Sequence, residues 1–385
     1  RGGHNKNNPE RAKRLVEEAP GTMHWLEGKG LGFGPKVHTI VGGLYQRGHA
    51  AQGGGFGYVN ALSRFIKAYP DKVKVFTDTQ AVSLIKDEQG RVIGVEGKND
   101  GKTVKFFASK GVIIATGGFG SNVDFRQAKN TGVWKEVKLD KDIPCTNNFK
   151  ASQGDGLKLA EQVGANIIDL DDIQLHPGGT PKTGIMSSWP SGRNRIFLTP
   201  QGDRFVNEDA ARDTLCKAIF KEGGKYWIVS NHVKYPSLDY QSKNLTIGEM
   251  IKLGQAFSGN TVEELASKTG MDPKKLKAAI QSYNDAVTGK VKEDSFGFKK
   301  STKDDQPMTE GPYYATPMVP AVHHTMGGIQ INTNAQVLDK NGKVIPGLFA
   351  AGEVTGGVHG SNRVGGNGIA DAMVYGRISG QSALK

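Results

Sequence analysis

The segment from Ala321 to Gly380 constrains this chain more than any other part of its 385 residues. Within it, Val344 to Ala351 is apolar and of the length expected for a buried strand. A glycine-rich turn follows, and then a helix predicted to begin near Asn367. Glycine lets a backbone approach a bound group closely, and the start of a helix offers N–H groups with no partner inside the helix. A strand, loop and helix of this kind suit an anionic pyrophosphate or the electron-rich edge of a ring system. The same stretch carries imidazoles at His323, His324 and His359 and one guanidinium at Arg363.

An apolar content of 37% over this length allows a large core and two domains. No apolar run approaches the roughly 18 residues that a helical membrane span needs, and neither end shows a signal peptide. The formal net charge is +12, but lysines and arginines occur in ones and twos, as at Lys299, Lys300 and Lys303, without an aromatic ladder. That pattern excludes nucleic acid as a partner and leaves a basic surface able to attract anionic substrates. Cys145 and Cys216 have neither metal-site nor redox spacing.

Along the chain, a helix is predicted from Pro9 to Leu26, ending near Gly28. Gly30 to Gly57 reads as too rich in turn residues for regular structure, and a helix then runs through Tyr69. Alternation from Val73 to Gly97, with a turn at Gln89 and Gly90, predicts a β-meander continued by Lys102 to Ala108. Val112 to Gly118 is a short buried strand entering paired glycines, as in a Rossmann-like sheet. The middle of the chain predicts mixed strands around Arg195 to Phe205 and helices at Thr261 to Lys268 and Pro273 to Val287. Thr261 with Glu264 fits a capping box, and Asp272 before Pro273 fits an N-cap.

The run GLFAAGEVTGGVHGSNRVGGN, preceded by HHTMGG, resembles the C-terminal signature of the fumarate reductase and succinate dehydrogenase flavoprotein family, in its soluble flavocytochrome c-type branch. ATGGFGSN at Ala115 to Asn122, GDG at Gly154 to Gly156, QLHP at Gln174 to Pro177 and GDRFVNEDAARD at Gly202 to Asp213 extend the resemblance over nearly the whole chain. It implies an α/β fold: a discontinuous Rossmann-like FAD-binding domain (1–170 and 323–385) with an inserted α+β capping domain (171–322) that closes over a substrate. The family's opening strand and GxGxxG turn have no counterpart here. A cofactor domain truncated at its N-terminus is therefore expected, one that holds FAD weakly or not at all.

The resemblance further implies transfer of a hydride from flavin N5 to the C=C bond of an α,β-unsaturated carboxylate, fumarate by default. Arg212 is then the proton donor, His323 and Arg363 anchor the carboxylate, and His176 is a further substrate contact. Asp213 or Glu208 would return the proton to Arg212. For FAD it points to Thr116, Gly117, Gly118, Asp155, Glu353, Asn367 and Ile369. Thr325, Met326 and Gly327 with Glu353 and Thr355 resemble a monovalent-cation site of some relatives, and no particular metal is implied.

Where fumarate reductases carry a threonine–glutamate pair and then an arginine, this chain has Ser187, Ser188 and Ser191, with Arg193 or Arg195 as replacement cations. That departure suits a monocarboxylic enoate of acrylate, methacrylate or urocanate type, and a non-catalytic electron-transfer module is the other alternative. Taken singly, Arg212 beside Asp213 reads as a cap ion pair and His323 and His324 as core imidazoles. Their shared order within one family is what assigns them chemistry. The resemblance also implies an electron-donor domain or protein of haem or FMN type and an extracytoplasmic, periplasmic location.

Overall fold

Asn8 starts the first helix by side-chain capping: its Oδ1 accepts from the Arg11 N–H at 3.0 Å, and proline takes the first helical position of Pro9–Glu27. The computed structural model describes residues 2–40, 45–146, 151–186, 194–242, 245–299 and 305–385. The chain divides into two compact units, one of Arg1–Glu136, Lys150–Ile173 and His324–Lys385, the other of Val137–Phe149 and Gln174–His323.

In the first unit, Val344–Ala350 pairs in parallel with Val112–Ile114 and antiparallel with Gln336–Leu338. Thr79–Lys86, Val92–Asn99 and Lys102–Phe107 form an antiparallel meander. Its turn is closed by Asp87, whose Oδ1 accepts from Gln89 N–H and Arg91 N–H at 3.1 and 2.8 Å. The meander begins later than the alternation predicts. Val73 donates its N–H back to Tyr69 O, and Val75 and Phe76 are exposed, so this stretch has no strand partner.

A second difference lies between Gly30 and Gly57, where the chain forms a hairpin of Phe33–Thr39 and Gln46–Ala51 followed by the helix Gly54–Lys67. The glycines there serve close approach within regular structure. Gly53 caps the helix at φ +73°, and a Cβ on Gly57 would collide with Gln52 O.

The second unit is built on a five-stranded sheet ordered Phe257–Gly259, Tyr313–Thr325, Tyr226–Asn231, Arg195–Leu198, with Ile173–Gly179 also pairing to Tyr313–Thr325. Side chains alternate across it. Ile196, Leu198 and Val229 pack with Leu265, Leu276, Ile280 and Tyr283 of the helices Val262–Thr269 and Pro273–Val287. Phe197, Tyr226 and Ile228 pack with Leu215 and Ile219 of the helix Arg212–Lys221.

Val137–Phe149, which the sequence reading left in the cofactor domain, groups with this second unit. Val322 N–H donates to Pro144 O and Thr146 N–H to Val322 O, both at 2.8 Å.

Asp272 accepts from Lys274 N–H and Lys275 N–H, as its sequence predicts. Thr261 caps Glu264 N–H, but the Glu264 carboxylate accepts from Asn260 N–H rather than from Thr261, so the expected reciprocal box is displaced by one residue. The full capping box lies instead at Thr246 and Glu249. Among the described residues no helix is long and apolar enough to cross a membrane. Both cysteines are buried and outside any disulfide.

Candidate active site

On the strand Ile173–Gly179, Gln174 and His176 stand two residues apart and share a face. Gln174 Oε1 accepts from Arg212 Nη1 at 3.0 Å, and Arg212 is buried at the start of its helix. His176 Nδ1 accepts from Gly178 N–H at 3.0 Å, so the neutral ring carries its proton on Nε2. Its ring lies 4.9 Å from that of His323, centroid to centroid. His323 Nδ1 in turn lies 2.6 Å from Thr146 Oγ1. Residues 146, 174, 176, 212 and 323 thus form one cluster inside the second unit. Ser187, Ser188, Ser191 and Arg193 lie outside the described residues.

The Glu208 carboxylate, one of the two expected relay groups, pairs with Arg204 and Phe197. It is fully buried and accepts from Phe197 N–H at 3.0 Å, from Arg204 Nε at 3.1 Å and from Arg204 Nη2 at 2.8 Å. The bidentate guanidinium pair occupies both carboxylate oxygens.

The first unit carries a second cluster. Glu353 Oε1 accepts from Thr325 N–H at 3.0 Å and Thr325 Oγ1 at 3.3 Å, and Oε2 faces His324 Nδ1 at 3.3 Å. His324 meets His359 edge to face at 5.5 Å, and His359 Nε2 lies 3.2 Å from Asp371 Oδ2. Burial works against the Glu353 carboxylate, yet His324, the Thr325 N–H and Arg363 hold it below the usual carboxylate range. Burial also lowers His324, Glu353 opposes this, and Arg363 and His359 lower it further. At neutral pH Glu353 is therefore ionised and His324 neutral, with Nδ1–H directed at Glu353. Burial pushes the Arg363 guanidinium down to about 10 against the pull of Glu353 and Asp371.

The remaining expected cofactor residues belong to this unit too. The parallel strands end side by side at Ile114 and Ala350, and the chain leaves them through exposed Ala115 and Thr116 on one side and Gly352, at φ +77°, on the other. Gly118 sits so close to Thr325 and Glu353 that a Cβ would strike both. Asp155 is exposed at the start of Asp155–Glu161, 3.7 Å from Lys158. The helix Asn367–Ala383 begins at Gly366 with no side-chain cap and with Asn367 and Ile369 exposed. Of the expected cation ligands, Thr355 Oγ1 donates to Gly352 O. Among the described residues no group of three or more His, Cys, Asp or Glu is placed to hold a metal ion.

Sequence reasoning assigned nothing to Gln174, Thr146, His359 or Asp371. Gln174 had one signal, its place in the QLHP motif two residues before His176; the others are brought in by tertiary contacts alone.

Uncapped helical N–H groups and open strand ends suit a flavin dinucleotide, and the donor set of the first unit fits that group. The family model described as FAD binding domain matches residues 1–369, and the chain belongs to that family: it is a flavoprotein whose cofactor is FAD. It is 37% identical over 379 residues to NADH:acrylate oxidoreductase of Vibrio harveyi, covering 96% of this chain and 36% of that protein. It is 36% identical over 391 residues to NADH:fumarate oxidoreductase of Klebsiella pneumoniae, covering 100% of this chain and 40% of that protein. The chain thus spans well under half the length of these two relatives. Among solved structures it resembles the open conformation of a flavocytochrome c3 fumarate reductase, with a TM-score of 0.75 and 32% identity over 99% of this chain and 65% of that one.

Proposed function

We propose that this chain is the flavin-bearing part of an enzyme that reduces the C=C bond of an α,β-unsaturated carboxylate, with fumarate as the default substrate. The observation that carries the reading is the cluster of Arg212, Gln174, His176, His323 and Thr146, gathered from four separate places in the second unit. When bound, the flavin supplies a hydride to one carbon of the double bond.

Arg212 gives the proton to the other carbon. Gln174 fixes one edge of its guanidinium through Nη1. Family resemblance assigns His323 and Arg363 to the carboxylate that polarises the double bond; within the second unit Thr146 orients His323 and His176 donates through Nε2. Thr116, Gly117 and Gly118 are assigned to the adenosine half of FAD. Asp155, Glu353, Asn367 and Ile369 are assigned to the ribityl chain and ring, where ionised Glu353 accepts from hydroxyl groups.

The decisive experiment is oxidation of reduced viologen by the full-length protein on addition of fumarate, acrylate, methacrylate or urocanate. Enoate-dependent oxidation is expected. A flavoprotein that oxidises the dye with none of them is an electron-transfer module, and the proposal falls.

A monocarboxylic enoate is the second reading, favoured by Ser187, Ser188 and Ser191 in place of a threonine, glutamate and arginine and by the likeness to the acrylate enzyme. A haem- or FMN-type electron donor and an extracytoplasmic location are carried by family resemblance. Fractionation of the native host would decide the second.

A further inference from the structure

Arg195, one of the two replacement cations that the sequence offers, is almost completely buried, at 2% exposure. Its Nη2 donates to the carbonyl oxygen of Glu208 at 2.9 Å and lies 3.7 Å from Asp209 Oδ1, while its guanidinium carbon stands 5.3 Å from the centre of the Phe197 ring. Glu208 is therefore held at both ends. Its carbonyl is fixed by Arg195, and its carboxylate by Phe197 N–H and by Arg204, which is itself tied to Asp294 at 2.5 Å. Further along, Asn207 Oδ1 accepts from Asp209 N–H and its backbone carbonyl from Ala210 N–H. This braced turn ends at Ala211, the N-cap of the helix Arg212–Lys221, and Ala211 offers no side chain to the first helical amides. That first turn therefore has no side-chain cap at its N-cap position.

We propose that Arg195 is a positioning residue for Arg212: by clamping Glu208 against the strand Arg195–Leu198 it fixes where the proton-donating guanidinium starts its helix. The assignment rests on Arg212 being the proton donor. Buried charge is a poor source of net stability, because desolvation offsets most of what hydrogen bonds return, so a role confined to stability is a weak account of Arg195. Positional control is a strong one, since displacing a catalytic group by about 1 Å costs on the order of 100-fold in rate.

The test uses the full-length flavoprotein with reduced viologen and its best enoate, comparing Arg195→Met, Arg195→Lys, Arg195→Gln and Arg212→Lys. Arg195→Met is expected to lower kcat by about tenfold or more, with KM and the flavin spectrum unchanged and a larger solvent deuterium isotope effect on kcat. Arg195→Lys restores most of the rate, because an ammonium can still donate to the Glu208 carbonyl. Arg195→Gln provides the second variant if the methionine form does not accumulate with flavin, and it must lose kcat in the same selective way. Unchanged kcat, a rise in KM alone, or a rate loss with no change in isotope effect overturns the positioning role. If Arg212→Lys keeps its turnover, the donor assignment itself has failed; if it loses turnover while both Arg195→Met and Arg195→Gln keep theirs, only the present inference has.

Discussion

Arg212 meets Gln174 across 38 residues of sequence, and His323 meets Thr146 across 177. The planar fork of arginine fits the Gln174 contact while presenting further N–H groups, whereas lysine offers a point charge on a stem of different length. Arg212→Lys is therefore expected to lower kcat by about 100-fold or more, with FAD binding and KM largely kept. Steady-state kinetics with reduced viologen measure it, and a near-normal kcat would place the proton donor elsewhere.

His324 yields a pH prediction. Its folded pKa is depressed below the ordinary 6.5, so the unfolded chain takes up the proton first on acidification. The stability it contributes is complete above 6.5 and is lost as pH falls below that value toward the folded pKa. Glu353, also depressed, adds a further loss below its ordinary 4.5. His324→Asn, which keeps an amide donor near Nδ1 but does not titrate, should flatten the upper part of this fall in Tm between pH 7 and 5. An unchanged slope in that variant would remove His324 as its source.

At the scale of elements, caps were the most legible feature. Asp272 is predicted and observed as the N-cap of Pro273–Val287, because proline at the first helical position and an acceptor before it are local requirements. Asp272→Ala should cost about 1 kcal/mol, read as a lowered midpoint in chemical denaturation. Thr246→Ala, which removes half of the reciprocal box with Glu249, should cost a similar amount, about 1 kcal/mol. The hairpin at Phe33–Thr39 and Gln46–Ala51 escaped the sequence reading because the glycines of this stretch looked like turn residues, whereas Gly57, in the helix that follows, answers to backbone crowding against Gln52.

For the molecule as a whole, the proposed choice between one and two substrate carboxylates turns on what compensates the second for its lost hydration. Ser187 and Ser188 stand where the family resemblance implies a threonine and a glutamate, and an unpaired carboxylate removed from water is costly. A higher kcat/KM for acrylate or methacrylate than for fumarate is expected if those serines set the choice. A clear preference for fumarate, measured with one electron donor, would reject that reading.

What the sequence determined by itself was whatever depends on near neighbours. The strand Val344–Ala350, the helix from Asn367 to Ala383, the meander turn at Asp87 to Arg91 and the glycine-rich motifs that reveal an FAD family all arise from periodicity, caps and short-range backbone demands. Only the tertiary structure decided the partners of the charged groups. Glu208 reads in sequence as a carboxylate available to Arg212, but the fold gives it to Arg204 and Phe197. His359 finds Asp371, and Arg195 finds the Glu208 carbonyl. The physical reason is burial: once a charge leaves water it must pair with whatever group the packing of distant segments brings within hydrogen-bonding reach, and no local pattern specifies that group.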